Sequence, residues 1–429
     1  MNSHGALVIT PFILFAFFEI ISLWPSAIFA YYTGQSEDAY PIIIVALGFF
    51  CLLCGFSLIR RLRRNRFNYR SPKTFLYLHI ELPFSITRCS IGIILTFLFL
   101  LGISLYHYRG IPPVSSSFMA SFGLHGSGTD LLMQESRKIL TKDHLFGGAY
   151  RGQGLISSFM YVGWPFLLAV SLAIYYKTKK RSWLLTSILF LFFTFIFVAG
   201  DGTRAPFLYA IIYLVVVISM FKRLKMRFLF ILSVFLIVMT IVLSIITGRL
   251  DEEEWSIKDA LQKTAERVAL DNGMDTIYVI EFVRSGVLDY QYGAINLQKA
   301  ILALPGTAGG QPFSHRLSFL LGKRSTTSFA STTYLATIFI DFGIIGVVLF
   351  YLMFGCVFGL AQQLLYNVKK TPLTLALVGY ATFYLGKMAL SGIVGFISSY
   401  VVVLAIYFLF IVGARLESIL VPRHSRIKS

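Results

Sequence analysis

The chain has 429 residues, of which 56% are hydrophobic and 14% charged, and its net charge is +18. That balance excludes a soluble globular domain. The basic excess does not point to nucleic acid, because most of it lies in short loops between apolar runs of about 20 residues, each long enough to span a bilayer.

Spans at 6–30 and 41–58 lead into Arg60, Arg61, Arg63, Arg64, Arg66, Arg70 and Lys73. The positive-inside rule makes that block cytoplasmic, the 32–40 turn external and the N-terminus internal. Met1–Gly5 has no basic side chain except His4, so the first run reads as a retained helix and not a cleaved signal. A third span, 87–106, exits to an outer segment, 109–153, with a short helix at 129–140. The fourth, 155–176, returns to Lys177-Thr-Lys-Lys-Arg181. Spans 183–197 and 207–221 form a tight hairpin around Val198–Pro206, and 228–247 is the seventh.

The longest outer loop, 248–331, opens on the acidic run Asp251–Glu254 and continues as an amphipathic helical pattern over 256–283. The eighth span, 333–365, is interrupted by Asp341-Phe-Gly343, and 373–389 and 393–412 form a closing hairpin before a basic tail. The expectation is an all-α polytopic membrane protein, one integral membrane domain over 1–429, with about ten transmembrane helices and both termini cytoplasmic. Both substantial non-membrane segments are external, so chemistry is expected at the outer face. The absence of a P-loop argues against ATP-driven transport. Cys51, Cys54, Cys89 and Cys356 lie in or beside apolar runs and read as small buried hydrophobes, including the Cys51-x-x-Cys54 pair.

Arg204 stands at the start of a helix, beside free backbone N–H groups and the positive end of the macrodipole. A cation there does not help the helix. It suits a site to which an anion comes, and helix N-termini with arginine form good phosphate sites. The external segments also hold Arg109, Arg137, Arg151, Arg249, Arg267, Arg284, Arg316 and Arg324, against the positive-inside trend. An anionic ligand is one reason and lipid phosphate is the other. Glu19, Asp341 and Lys387 sit within spans, where ionisable groups count as site candidates; an Asp341–Lys387 pair would be structural or would line the site. Among the external histidines His107, His125, His144 and His315, the last lies next to Arg316 and shortly before the eighth span, and it is the preferred general base. A surface or capping role is its alternative. The histidine spacings match no zinc motif, so no metal and no cofactor are expected.

Three stretches resemble the Wzy-type O-antigen and exopolysaccharide repeat-unit polymerases. Tyr108-Arg-Gly-Ile-Pro-Pro113 is similar to an R-G-I-P-L-like string after an outgoing helix. Gly200-Asp-Gly-Thr-Arg-Ala205 is similar to a G-S-R-G-like hairpin. Asp341-Phe-Gly-Ile-Ile-Gly346 is similar to a closing N-F-G-x-x-G after a serine/threonine-rich approach. Arg137, eleven residues before Gly148, resembles an R-x10-G pattern of outer loops; where members often carry a glutamate six before the glycine of N-F-G, this chain has Thr337.

The resemblance implies a metal-independent, GT-C-like glycosyltransferase of the bacterial inner membrane that joins undecaprenyl-diphosphate-linked oligosaccharides. It implies chain-length regulator and flippase proteins as partners beside membrane lipids, and no nucleic acid. By likeness to the related ligases, Arg204 and Arg267 would hold the donor diphosphate. Of the other external arginines, Arg137, Arg284 and Arg249 are further candidate contacts; His315 is the candidate base and the 256–283 helix a candidate lid. The competing readings are an O-antigen ligase, whose histidine is missing from Ser325-Thr-Thr-Ser328, a transporter or flippase, which would show internal repeats, and a membrane-bound acyltransferase, which would carry a histidine in a helical membrane setting.

Overall fold

Pro11 opens the first helix, α1 (Pro11–Tyr32), where its missing N–H costs nothing, and Thr10 Oγ1 caps it by accepting the Ile13 N–H at 3.2 Å. The computed structural model describes residues 9–36, 38–66, 90–108, 112, 153–200, 204–221, 272–302, 313–322, 332–367 and 371–420, with 224 and a few positions between 227 and 239. The remaining helices are α2 (Tyr40–Arg66), α3 (Ser90–Tyr108), α4 (Gln153–Thr178), α5 (Arg181–Val198), α6 (Arg204–Phe221), α7 (Asn272–Arg284), α8 (Ala294–Leu302), α9 (Phe313–Leu320), α10 (Tyr334–Asn367) and α11 (Pro372–Leu420). Among the described residues the protein is all-helical, and eight stretches are long and apolar enough to cross a membrane. In a bilayer core only a helix satisfies its own backbone N–H and C=O groups, so apolar runs of this length fold this way.

These eight correspond to eight of the ten expected spans. The sixth, 205–221, is apolar but shorter than the others. The seventh, 228–247, falls largely outside the described residues. The helix expected at 129–140 falls wholly outside them. Cys51, Cys54 and Cys356 carry free thiols, as their apolar setting suggested.

The helices form two groups. In one, α1, α2, α7 and α10 pack together; in the other, α3, α4, α5 and α6 do. The long helix α11 touches α1, α10, α3, α4 and α6 and joins them. The tightest seam runs between α2 and α10. A Cβ on Gly55 would strike the Leu352 carbonyl, and one on Gly355 would strike the Leu52 carbonyl and sit 2.7 Å from Phe56 N. Gly355-x-x-x-Gly359 is a small-xxx-small face, which lets two backbones approach where no hydrophobic effect drives helices together.

Two of the long helices reverse direction. In α10, Gly343 has φ 64° and ψ −155°, a conformation open in practice to glycine alone. In a straight helix Tyr334 and Phe354 would lie about 30 Å apart, yet their ring centroids are 5.5 Å apart, and those of Phe342 and Phe350 are also 5.5 Å apart. The segment 334–342 therefore folds back along 344–354. Gly392 (φ 71°) does the same in α11, where Tyr380 Oη donates to the Ser399 carbonyl at 3.3 Å. The interruption expected at Asp341-Phe-Gly343 is present, and it is a reversal; the closing hairpin is present too.

The Asp341 side chain explains how the first reversal is held. Its Oδ1 accepts from Ile295 N at 3.1 Å, and its Oδ2 accepts from Asn296 N at 3.1 Å and from Asn296 Nδ2 at 2.7 Å. It thus caps α8 from another element, and Gln291 N donates to the Ile340 carbonyl at 2.8 Å beside it. The carboxylate is spent on α8, so the alternative of an Asp341–Lys387 ion pair is not realised. Asp341→Ala is expected to lower stability by about 1–2 kcal/mol, the cost of a lost cap, and Asp341→Asn by much less. Thermal unfolding of the detergent-solubilised variants checks this; equal melting of the alanine variant and the parent would rule the cap out.

Candidate functional site

Helix α7 comes from the large loop, and it does not lie over the bundle. Met274, Ile277, Val279, Ile280 and Val283 are buried, and α7 packs on α1 and α10. The expectation of a lid is corrected for this part of the 256–283 segment; 256–271 lie outside the described residues. The reason is local. The charges of α7 sit in its first and last turns, Asp275 at one end and Glu281 and Arg284 at the other, while Thr276–Ile280 between them is apolar enough to enter the core.

Its two ends lie at different heights. At the C-terminal end Ser36 Oγ donates to Glu281 Oε1 at 2.6 Å and Arg284 Nη1 donates to Asp38 Oδ1 at 2.6 Å, both on the turn between α1 and α2. At the N-terminal end a Cβ on Gly273 would collide with the Ser22 carbonyl and with Ser26 Oγ, halfway along α1. Thr276 and Thr333 share a hydrogen bond of 3.1 Å between their hydroxyls, and Thr333 N donates to Thr276 Oγ1 at 3.0 Å. Thus α7 and 334–342 are half-length helices whose N-terminal ends meet inside the bundle.

The N-terminal end of α6 reaches the same region. Tyr213 Oη donates to the Ala376 carbonyl at 2.9 Å, while Lys387 Nζ lies 4.2 Å from the Tyr209 ring centroid. Helix α6 therefore runs antiparallel to 372–391. Arg204, five residues before Tyr209, is level with Gly392, five residues after Lys387. A Cβ on Gly392 would sit 2.7 Å from the Tyr334 ring, next to Thr333. The Gly392 turn thereby meets the opening of α10, which meets the opening of α7, and the opening of α6 is level with that turn. Ser22 and Ser26 on α1 and Thr276 and Thr333 supply buried hydroxyls, and Lys387 supplies a cation. One turn further along α1, Glu19 Oε1 accepts from Tyr351 Oη at 2.7 Å.

The sequence-derived site residues fall as follows. Arg204 is the first residue of α6. Arg284 closes α7 and has protein partners: Asp38, Glu281 at 3.9 Å and the Tyr40 ring at 5.1 Å. His315 is the third residue of α9, whose Phe313 and Leu317 are buried. Arg137, Arg249 and Arg267 lie outside the described residues. Ser22 and Ser26 were not singled out from the sequence, although Glu19, Ser22 and Ser26 recur at helical spacing and announce a polar stripe on α1.

The Asp38 carboxyl is held below its ordinary value of 3.8, first by the hydrogen bond from Arg284 and then by the Tyr40 N–H. A depressed carboxylate contributes above its unfolded pKa and loses that contribution as the pH falls through its folded pKa. Hydrogen exchange around 33–39 and 281–289 is therefore expected to be unchanged between pH 8 and 5 after correction for intrinsic rate, and to accelerate below about pH 4. An Asp38→Asn variant should lose that acidic step; its persistence there would assign the step to another group.

Two of the stretches quoted above touch one another. Tyr108 Oη donates to the Phe197 carbonyl at 2.9 Å, and a Cβ on Gly200 would sit 2.6 Å from the Tyr108 ring. The end of α3 is thus clamped on the turn before Arg204. A family model described as "Putative O-antigen polymerase" matches residues 145–384, more than half of the chain. The chain belongs to the O-antigen polymerase family. The matched region runs from α4 into α11 and contains Arg204, α7 and the Gly343 reversal, ending three residues before Lys387. No curated protein and no solved structure was found to match the chain.

Proposed function

We propose that the protein polymerises undecaprenyl-diphosphate-linked oligosaccharide repeat units at the outer face of the bacterial cytoplasmic membrane, as a metal-independent glycosyltransferase of the GT-C type. The end of the bundle holding the 33–39 turn is the outer one in this reading, both termini are cytoplasmic, and 109–153 and 248–331 are the external segments around the site. The observation that carries it is the meeting of the N-termini of α7 and 334–342 inside the bundle, beside the Gly392 turn with which Arg204, opening α6, is level. Half-helix N-termini within a membrane favour anionic groups of a substrate. A lipid diphosphate enters such a place from the bilayer with its tail still in lipid.

The acceptor hydroxyl of a new lipid-linked unit attacks C1 of the sugar that joins the growing chain to its carrier. The C1–O bond to the diphosphate breaks, and undecaprenyl diphosphate leaves with both electrons of that bond. The acceptor proton passes to a base, for which His315 is the candidate. Arg204, with Arg267 and the further arginines Arg137 and Arg249, stabilises charge on the departing diphosphate. Partners are the flippase that supplies the units and a chain-length regulator.

The test gives purified protein in nanodiscs its lipid-linked repeat units in the presence of EDTA. A ladder of longer lipid-linked sugars is the expected product. No ladder, with transfer to lipid A–core instead, would replace this reading by that of a ligase.

A further inference from the structure

We propose that Lys387 is a second cationic contact for the lipid-linked diphosphate, below Arg204; this rests on the donor reading above and deepens it. Lys387 lies in the span 372–390, where an ionisable side chain is rare and marks a substrate path. Its Nζ sits 4.2 Å from the centroid of the Tyr209 ring on α6 and 5.2 Å from that of Tyr384 on its own helix. The two rings fix the ammonium by its apolar neighbours and by cation–π attraction. They leave it on the side of the helix that faces α6. Tyr209 also touches Phe18 at 6.4 Å between ring centroids, so the ammonium points into the seam where α6, α11 and α1 converge.

Height decides what it meets. Tyr209 follows Arg204 by five residues, about 7 Å along the helix axis. A diphosphate is shorter than this, the long arginine and lysine side chains cover the difference, and a donor entering from lipid presents its two phosphates one above the other between sugar and polyprenol. Arg204 then faces the phosphate next to the sugar and Lys387 the one next to the lipid. A compact ammonium suits a single phosphate, and the fork of arginine suits the phosphate from which the sugar departs.

The experiment measures binding of undecaprenyl diphosphate and of undecaprenol to the full-length protein in nanodiscs. Lys387→Met is expected to weaken the diphosphate about 10–100-fold, the range for one charge-assisted contact, and to leave undecaprenol unchanged, with Lys387→Arg recovering most of the loss. Equal binding of the diphosphate by Lys387→Met and the parent overturns the proposal, as does an equal loss for both lipids, which would make the lysine a packing element. If Lys387→Met does not fold, Lys387→Gln is read in the same way; if neither neutral variant folds while Lys387→Arg does, the cation is structural and the proposal falls. A parent that forms the sugar ladder while Lys387→Met binds diphosphate normally loses only the lysine. A parent that binds no undecaprenyl diphosphate loses the donor reading as well.

Discussion

Arg204→Ala is expected to cut formation of the lipid-linked ladder about a hundredfold at unchanged protein level, and Arg204→Lys about tenfold. The first residues of α6 have N–H groups with no partner inside the helix, and the macrodipole places partial positive charge there. A guanidinium at that position adds to the positive potential, so the arrangement is favourable only when an anion shares it. Removing the guanidinium removes a charge-assisted, two-pronged contact to a group whose negative charge grows as the sugar leaves. The loss should therefore appear in the turnover of bound donor as well as in its binding. Lysine keeps the charge and loses the fork. Gels of lipid-linked product, normalised to the protein in the membrane, give the comparison. Full-length ladders from both variants would remove Arg204 from the diphosphate.

Much of this arrangement was legible in the chain. Runs of about 20 apolar residues have one stable solution in a bilayer, so the spans could be placed to within a few residues. Gly343 and Gly392 marked interruptions, because a glycine beside Asp341-Phe or Ser391 weakens an otherwise continuous helix. The reversal at Gly392 was expected as a closing hairpin; what the sequence could not supply was the size of the turn at Gly343. A kink and a full reversal need the same residue, and only the stacking of Phe342 on Phe350 and of Tyr334 near Phe354 distinguishes them.

Helix α7 was harder still. Its Asp275, Glu281 and Arg284 give it the composition of an exposed amphipathic helix, whereas Thr276–Ile280 between them is what the core receives. Of the proposed site, the position of Arg204 at a helix start was legible from the turn chemistry of Gly200-Asp-Gly-Thr, and Lys387 as a candidate from the rarity of a charge in a span. The role of Gly273 was not legible, since its partner is 247 to 251 positions away on α1 (273 − 26 and 273 − 22) and nothing local announces a close approach.

Gly273 is for that reason the residue whose substitution should do most damage per atom added. Any β-carbon there meets the Ser22 carbonyl and the Ser26 hydroxyl, so α7 must retreat from α1. Retreat strains the Thr276–Thr333 pair and takes one helix N-terminus away from the other. At the far end of α7 the Arg284–Asp38 and Glu281–Ser36 contacts lie on the opposite side of the helix's length and need not move, so the helix pivots and does not leave. Gly273→Val is accordingly expected to abolish the ladder to below about a hundredth of the parent while the protein still purifies as a folded particle, because overpacking of this kind costs about 1–3 kcal/mol and is concentrated at the site. Gly102, on α3 with open space where its β-carbon would be and no positive φ, is the control for a change of composition alone. Adding Ser26→Gly to Gly273→Val removes one of the two obstacles, and part of the activity should return. Activity of Gly273→Val equal to the parent would show that the polymerase does not need the α7 N-terminus in place. An unchanged defect in the double variant would trace the loss to the Ser22 carbonyl alone.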